Sequence, residues 1–127
     1  MDESILKTIK KLLGLAPEYT PFDTDIIVLI NAALMTLCQI GVGPKEGFFI
    51  SDMTSRWSDF LTNETKLNGA QQYIYIKVRM VFDPPGNSFV MSALESQAKE
   101  LEWRLNVQAE SVEKFDFVDM DNNPRLQ

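Results

Sequence analysis

The side chains that most often do chemistry are nearly missing from this chain. Among its 127 residues there is no histidine, and one cysteine, Cys38. Without histidine the commonest general base, nucleophile activator and metal ligand are gone. One cysteine and no histidine cannot build a Cys/His zinc site, nor an internal disulfide. Cys38 falls on the apolar stripe of an expected helix with no base beside it, so it reads as a small core residue rather than a reactive thiol. Carboxylates are the one catalytic chemistry left open, and the 18 acids are interleaved with 12 bases over most of the chain. The sequence thus assigns no catalytic residue, no metal ligand and no cofactor, and the chain is expected not to be an enzyme.

A second suggestive cluster is Lys7, Lys10 and Lys11. Three lysines in five positions could hold a phosphate, but on a helix they read as a solvated face. The net charge of −6 also argues against a nucleic-acid reader, which normally carries a basic surface. No apolar run reaches the roughly 18 residues that a membrane span needs. The first residues, MDESILKTIKK, are too polar for a signal peptide. With one cysteine, an intracellular origin is expected.

The length is that of one domain with a modest core. Ile5, Leu6, Ile9, Leu12 and Leu13 space a first helix, with Asp2 as its cap and Gly14 as its stop. A proline-punctuated linker, LAPEYTPFD, leads to a second helix from Asp23 or Thr24 to about Ile40. Ile26, Ile30, Ala33, Leu34, Leu37 and Cys38 mark its buried side, and its nearly all-round apolarity predicts the central element of the fold. The glycine-rich GVGPKEGFFIS is a long connection with at most a short strand or hairpin near residues 47–51. Its Phe48 and Phe49 are expected either to close over the core or to face a partner. TSRWSDFL makes a short helix.

The stretch YIYIKVRMVF, residues 73–82, alternates like a strand and also carries a helical stripe through Leu67, Ala70, Ile74, Val78, Val81 and Phe82. A strand would lack partners, and the stripe continues N-terminally without a turn, so a helix is predicted, ending before Pro84. A last helix starts at Asn87 or Ser88, with Phe89, Val90, Ala93, Leu94, Ala98, Leu101 and Leu105 as its stripe. The expected core includes Ile30, Leu34, Ile74, Val78, Leu94 and Leu101. Residues 109–127 hold five acids against two bases, with Phe115, Phe117, Val118 and Met120 among them. A tail of that kind suits docking on another molecule, the alternative being that Phe115 and Phe117 fold back over the bundle and finish its core.

The fold class predicted is all-α: a small bundle of three long helices and one shorter helix with an extended C-terminal tail. Residues 1–108 form the bundle domain and 109–127 the acidic tail.

The succession KKLLGL, FDTDIIVLINAAL, QIGVGPKEGFFISD, WSDFL, YIYIKVRMVFDPP and ELEWRLNV resembles the head–tail connector (adaptor, or head-completion) proteins of long-tailed bacteriophages, over nearly the whole chain to about Val107. The resemblance implies a helical protein assembled as a ring, twelve copies in such proteins, beneath the portal protein. The ring extends the DNA channel toward a stopper or other neck protein and the tail. It implies assembly in the bacterial host cytoplasm and a place in the virion neck, with genomic DNA passing without specific binding and no membrane. Phe48, Phe49, Phe115, Phe117, Val118 and Met120 are the candidate portal or subunit interface. From composition alone, a small acidic inhibitor or regulator that binds a host or phage protein, of the DNA-mimic type, is the alternative.

Overall fold

The computed structural model describes residues 3–121, with side chains as far as Val107 and at Ala109. Among the described residues the chain forms α1 (Ile5–Leu12), α2 (Asp23–Gln39), α3 (Trp57–Phe60), α4 (Glu64–Phe82) and α5 (Ser88–Asp121), and no strand. The fold is all-α, as the sequence predicts, with three long helices and two short ones. Around residues 47–51 there is loop, and the single bridge lies elsewhere, between Ser4 and Arg56.

Local chemistry sets the ends. Ser4, not Asp2, caps α1, its side chain accepting from the Lys7 amide, and Gly14 takes the left-handed stop at φ +86°. Asn63 Oδ1 accepts from the Lys66 amide at 2.9 Å to open α4, and Asn87 Oδ1 accepts from the Phe89 amide at 2.7 Å to open α5. Residues 73–82 are helical, and α4 stops at Phe82, ahead of Asp83 and Pro84.

The central helix is α4, which corrects the expectation for α2. It packs on α2 along one side and on α5 along the other, and also meets α1. Its buried residues Ala70, Tyr73, Ile74, Ile76 and Val78 cover roughly 200° of its circumference at about 100° per residue. The buried residues of α2, namely Ile26, Ile30, Ala33, Leu34 and Leu37, cover only about 100°. All-round apolarity therefore did not mean all-round burial.

Ile30, Leu34, Ile74 and Val78 lie in the core as expected, whereas Leu94 and Leu101 sit at its edge, half-buried. On α5 the buried line is Ala98, Leu105 and Ala109. Phe89, Val90 and Ala93 are exposed, so the first turn of the expected stripe does not reach the core.

Lys10 departs furthest from expectation. It is fully buried rather than part of a solvated face. Its ammonium donates to the carbonyls of Pro17 at 2.9 Å and Tyr19 at 2.7 Å and pairs with Asp23 Oδ1 at 2.8 Å. One lysine thereby fixes the Pro-rich linker and the entrance of α2. Asn31 pins the other long connection: its amide donates to Ile50 O at 3.0 Å and accepts from Ile50 N at 2.8 Å. At the far end, Trp57 Nε1 donates to Thr8 Oγ1 at 2.9 Å, tying α3 to α1.

Candidate functional site

The titratable groups with displaced acidities are scattered. Burial pushes the Cys38 thiol up, the reverse of what a nucleophile needs. Burial and the neighbouring Glu102 carboxylate, which accepts from the phenol at 2.6 Å, push Tyr73 up. Hydrogen bonds from Thr54 hold Asp52 below the usual carboxylate range, in an exposed turn. No two of these three converge on a common space. Among the described residues there is also no group of three or more Cys, Asp or Glu placed to hold a metal ion, and no helix is long and apolar enough to cross a membrane.

The features that can act on another molecule are surfaces. The first is the outer face of α2, where Val28, Ala32, Met35 and Gln39 recur at steps of four, three and four. All four are exposed, Val28 at 61% and Met35 at 58%. The second is the outer face of α5, opposite its buried line. Phe89, Ala93, Ser96, Glu100, Trp103 and Val107 follow the same helical steps and are all exposed, Phe89 at 83% and Trp103 at 67%. An Arg104–Glu100 ion pair at 2.8 Å crosses this face. On α2 the apolar side chains follow one another, whereas on α5 Phe89 stands apart from Trp103 and Val107, with Ser96 and Glu100 between them. Exposed large apolar side chains grouped on one helix face mark candidate contact surfaces.

A third surface is aromatic. Phe22 meets Phe82 edge-on with ring centroids 5.3 Å apart and Tyr19 at 6.0 Å. It closes the end of the bundle where α2 begins and α4 stops.

The two phenylalanines of the 41–56 connection divide between the roles open to them. Phe48 turns inward, half-buried, with its ring 5.5 Å from that of Phe60. Phe49 is 71% exposed. Gly43 (φ +109°) makes this arrangement fit: a Cβ there would lie 2.5 Å from the Phe60 ring and 3.2 Å from Cys38 Sγ. Of the six expected interface residues, Phe49 alone is placed as an exposed one. The side chains of Phe115, Phe117, Val118 and Met120 lie outside those described, although the backbone of α5 continues through them to Asp121.

The last surface is a cleft of about 820 Å³ between α1 and the 53–56 segment, lined by Lys7, Lys11, Arg56, Leu15, Pro17 and Met53. Lys7 and Lys11 were expected to be solvated, and neither has an ion-pair partner among the described residues.

Assigning each helix a single buried side leaves the outer faces of α2 and α5 unmarked. The available signal was a second apolar line half a turn from the first, in Val28, Ala32 and Met35 and in Phe89, Trp103 and Val107.

A family model described as phage connector protein matches residues 5–112 of the 127. Searches of curated proteins and of solved structures returned no match.

Proposed function

The chain belongs to the phage connector protein family, and from that premise we propose that it is a structural, non-enzymatic adaptor of the virion neck. In this reading copies associate side by side into a ring beneath the portal protein, extend the DNA channel, and offer a platform to the stopper and tail. The observation that carries it is the pair of exposed apolar stripes on α2 and α5, which lie on the two helices flanking α4. Two different faces on one chain suit a heterologous contact, in which one face of each copy meets the other face of the next, and such contacts make a ring when the rotation between copies closes. Phe49 and the acidic segment from Ala109 onward are then the candidates for the portal or for a neighbouring subunit. The net charge of −6 suits a lumen through which DNA slides, since a wall of Lys and Arg would hold phosphates by counterion release.

The test is mass in solution by light scattering and native mass spectrometry, for the chain alone and mixed with portal complexes, followed by electron microscopy of the mixture. A ring of this chain, alone or on the portal, is the expected outcome. A chain that stays a single copy under both conditions would refute the assignment. A ring lumen with more Lys and Arg than Asp and Glu would refute the charge argument by itself.

A further inference from the structure

We propose that the cleft lined by Lys7, Lys11 and Arg56 receives the acidic, apolar segment 110–121 of a second copy of this chain. Self-association belongs to the preceding proposal; the occupant of this cleft goes beyond it.

The cleft is unusual for this molecule. The chain is acidic overall, yet three cations line one opening of about 820 Å³ against one carboxylate, Glu3. Lys7 and Lys11 stand four residues apart on α1, one helical turn, so their ammonium groups address the same space. Neither enters an ion pair among the described residues. The opening is not merely charged, because Leu15, Pro17 and Met53 form an apolar part of its wall. Its occupant should therefore carry several negative charges and interleaved apolar groups.

One segment of this chain has that composition. Residues 110–121 read ESVEKFDFVDMD, with five acids and one lysine, interspersed with Val112, Phe115, Phe117, Val118 and Met120. Several carboxylates can meet Lys7 and Lys11, while aromatic and aliphatic side chains find Leu15, Pro17 and Met53.

The backbone path favours a neighbour over the chain's own cleft. Ala109 lies against Gly41, and Asn106 donates to Ile40 O at 3.2 Å, so α5 is anchored where α2 ends. From there its helix continues to Asp121, about 18 Å further at 1.5 Å per residue. Continuing as helix, the segment does not double back at Ala109 as an extended tail could.

Two measurements test this on the full-length chain. In the first, a fluorescent peptide with the sequence of residues 110–121 is titrated onto the protein, its K7E/K11E variant and, as control, with a peptide whose Glu113, Asp116 and Asp119 are replaced by lysine. Saturable binding is expected, weakened about tenfold by K7E/K11E, consistent with two partly screened charge pairs, and weakened further in high salt. The charge-reversed peptide should not bind, a control that does not depend on how the variant folds. No binding, or equal binding to parent and variant, overturns the proposal.

In the second, light and heavy isotope-labelled chains are mixed and joined by a zero-length carbodiimide. Links from Lys7 or Lys11 to the acids of 110–121 should pair one light with one heavy peptide. Links within single copies only, or none to this segment, overturn it. Peptide binding does not require assembly, so a chain that binds the peptide yet never forms a ring would refute the adaptor proposal and leave the cleft's preference standing.

Discussion

Replacing Lys10 with methionine should destabilise the fold more than any other single lysine substitution on α1. Two of the ammonium's donors go to Pro17 O and Tyr19 O at 2.9 and 2.7 Å, and its charge is paired with Asp23 Oδ1 at 2.8 Å. Methionine keeps the apolar stem and loses the head, leaving two carbonyls and a carboxylate facing an apolar tip. Breaking a buried ion pair by removing one partner typically costs 3–5 kcal/mol. The Asp23 side chain retains 21% exposure although its Oδ1 is buried, so the carboxylate keeps part of its hydration, and the lower end, about 3 kcal/mol, is expected for Lys10→Met. Urea unfolding followed by circular dichroism should show a midpoint lower by roughly 2 M at unchanged slope, for a slope of about 1.5 kcal/mol per M. The melting temperature should fall by roughly 10 °C. Lys7→Met and Lys11→Met, one turn apart on the exposed side, should stay within about 0.5 kcal/mol of the parent. A Lys10→Met change inside that range, or equal losses at all three positions, would refute the assignment of Lys10 as the clamp of the 15–23 linker.

Three further outcomes are expected. Tyr73→Phe removes the hydrogen bond to Glu102 and should cost roughly 1–2 kcal/mol at neutral pH. Because burial and Glu102 raise the phenol's pKa in the folded state, the unfolded chain loses this proton first, so parental stability should fall as pH rises above about 10. Tyr73→Phe should flatten that decline, and an unchanged slope in pH-dependent melting curves would show that Tyr73 is not responsible. Gly43→Ala combines a strained positive φ with a Cβ 2.5 Å from the Phe60 ring and should cost about 3 kcal/mol; a neutral result in urea would mean the loop repacks freely. Phe48→Ala should lower stability by about 2 kcal/mol, since the ring is half-buried, whereas Phe49→Ala should stay within about 0.5 kcal/mol and instead weaken assembly in the light-scattering assay.

The helices were legible in the sequence because punctuation and periodicity agreed. Gly14, Asn87 and Pro84 mark ends that the structure uses, and the stripes of α1 and α2 identify their buried sides. The strand-like alternation at residues 73–82 has a physical origin. Ile74, Ile76 and Val78 are all buried because α4 is covered on two sides, and a helix with so wide a buried arc can repeat apolar residues at alternate positions. Pattern alone could not reveal which helix had two neighbours. Nor could it single out Lys10, because its partners are backbone carbonyls of a linker and a carboxylate 13 positions away. Asn31 was hidden for a similar reason: its role is to complete the hydrogen bonds of Ile50, 19 residues distant. Of the candidate surface, Phe49 was readable as an exposed aromatic in a glycine-rich loop. The basic cleft was not, since Arg56 joins Lys7 and Lys11 only through the pairing of the 55–57 segment with the start of α1.

The apolar excess of α2 can be understood by asking what a single chain can cover. The core side of α2 is met by α4 and α1. Its outer stripe of Val28, Ala32 and Met35 points the opposite way, and α5, which carries the other exposed stripe, lies across α4. Within one copy the two stripes are held apart by the helix that both flanking elements need for their own packing. Ile74 and Val78, on α4 between them, are fully buried, and core packing at that density leaves no slack for rearrangement. A second copy removes that conflict, because its α5 can approach α2 from outside without disturbing α4. In the proposed ring, heterologous use of the two faces would bury both stripes in every copy, whereas a two-fold dimer joined through one of them would leave the other exposed. The same two-sided apolarity that made α2 look central in the sequence is, on the adaptor reading, the requirement of an element that is central only in the assembly.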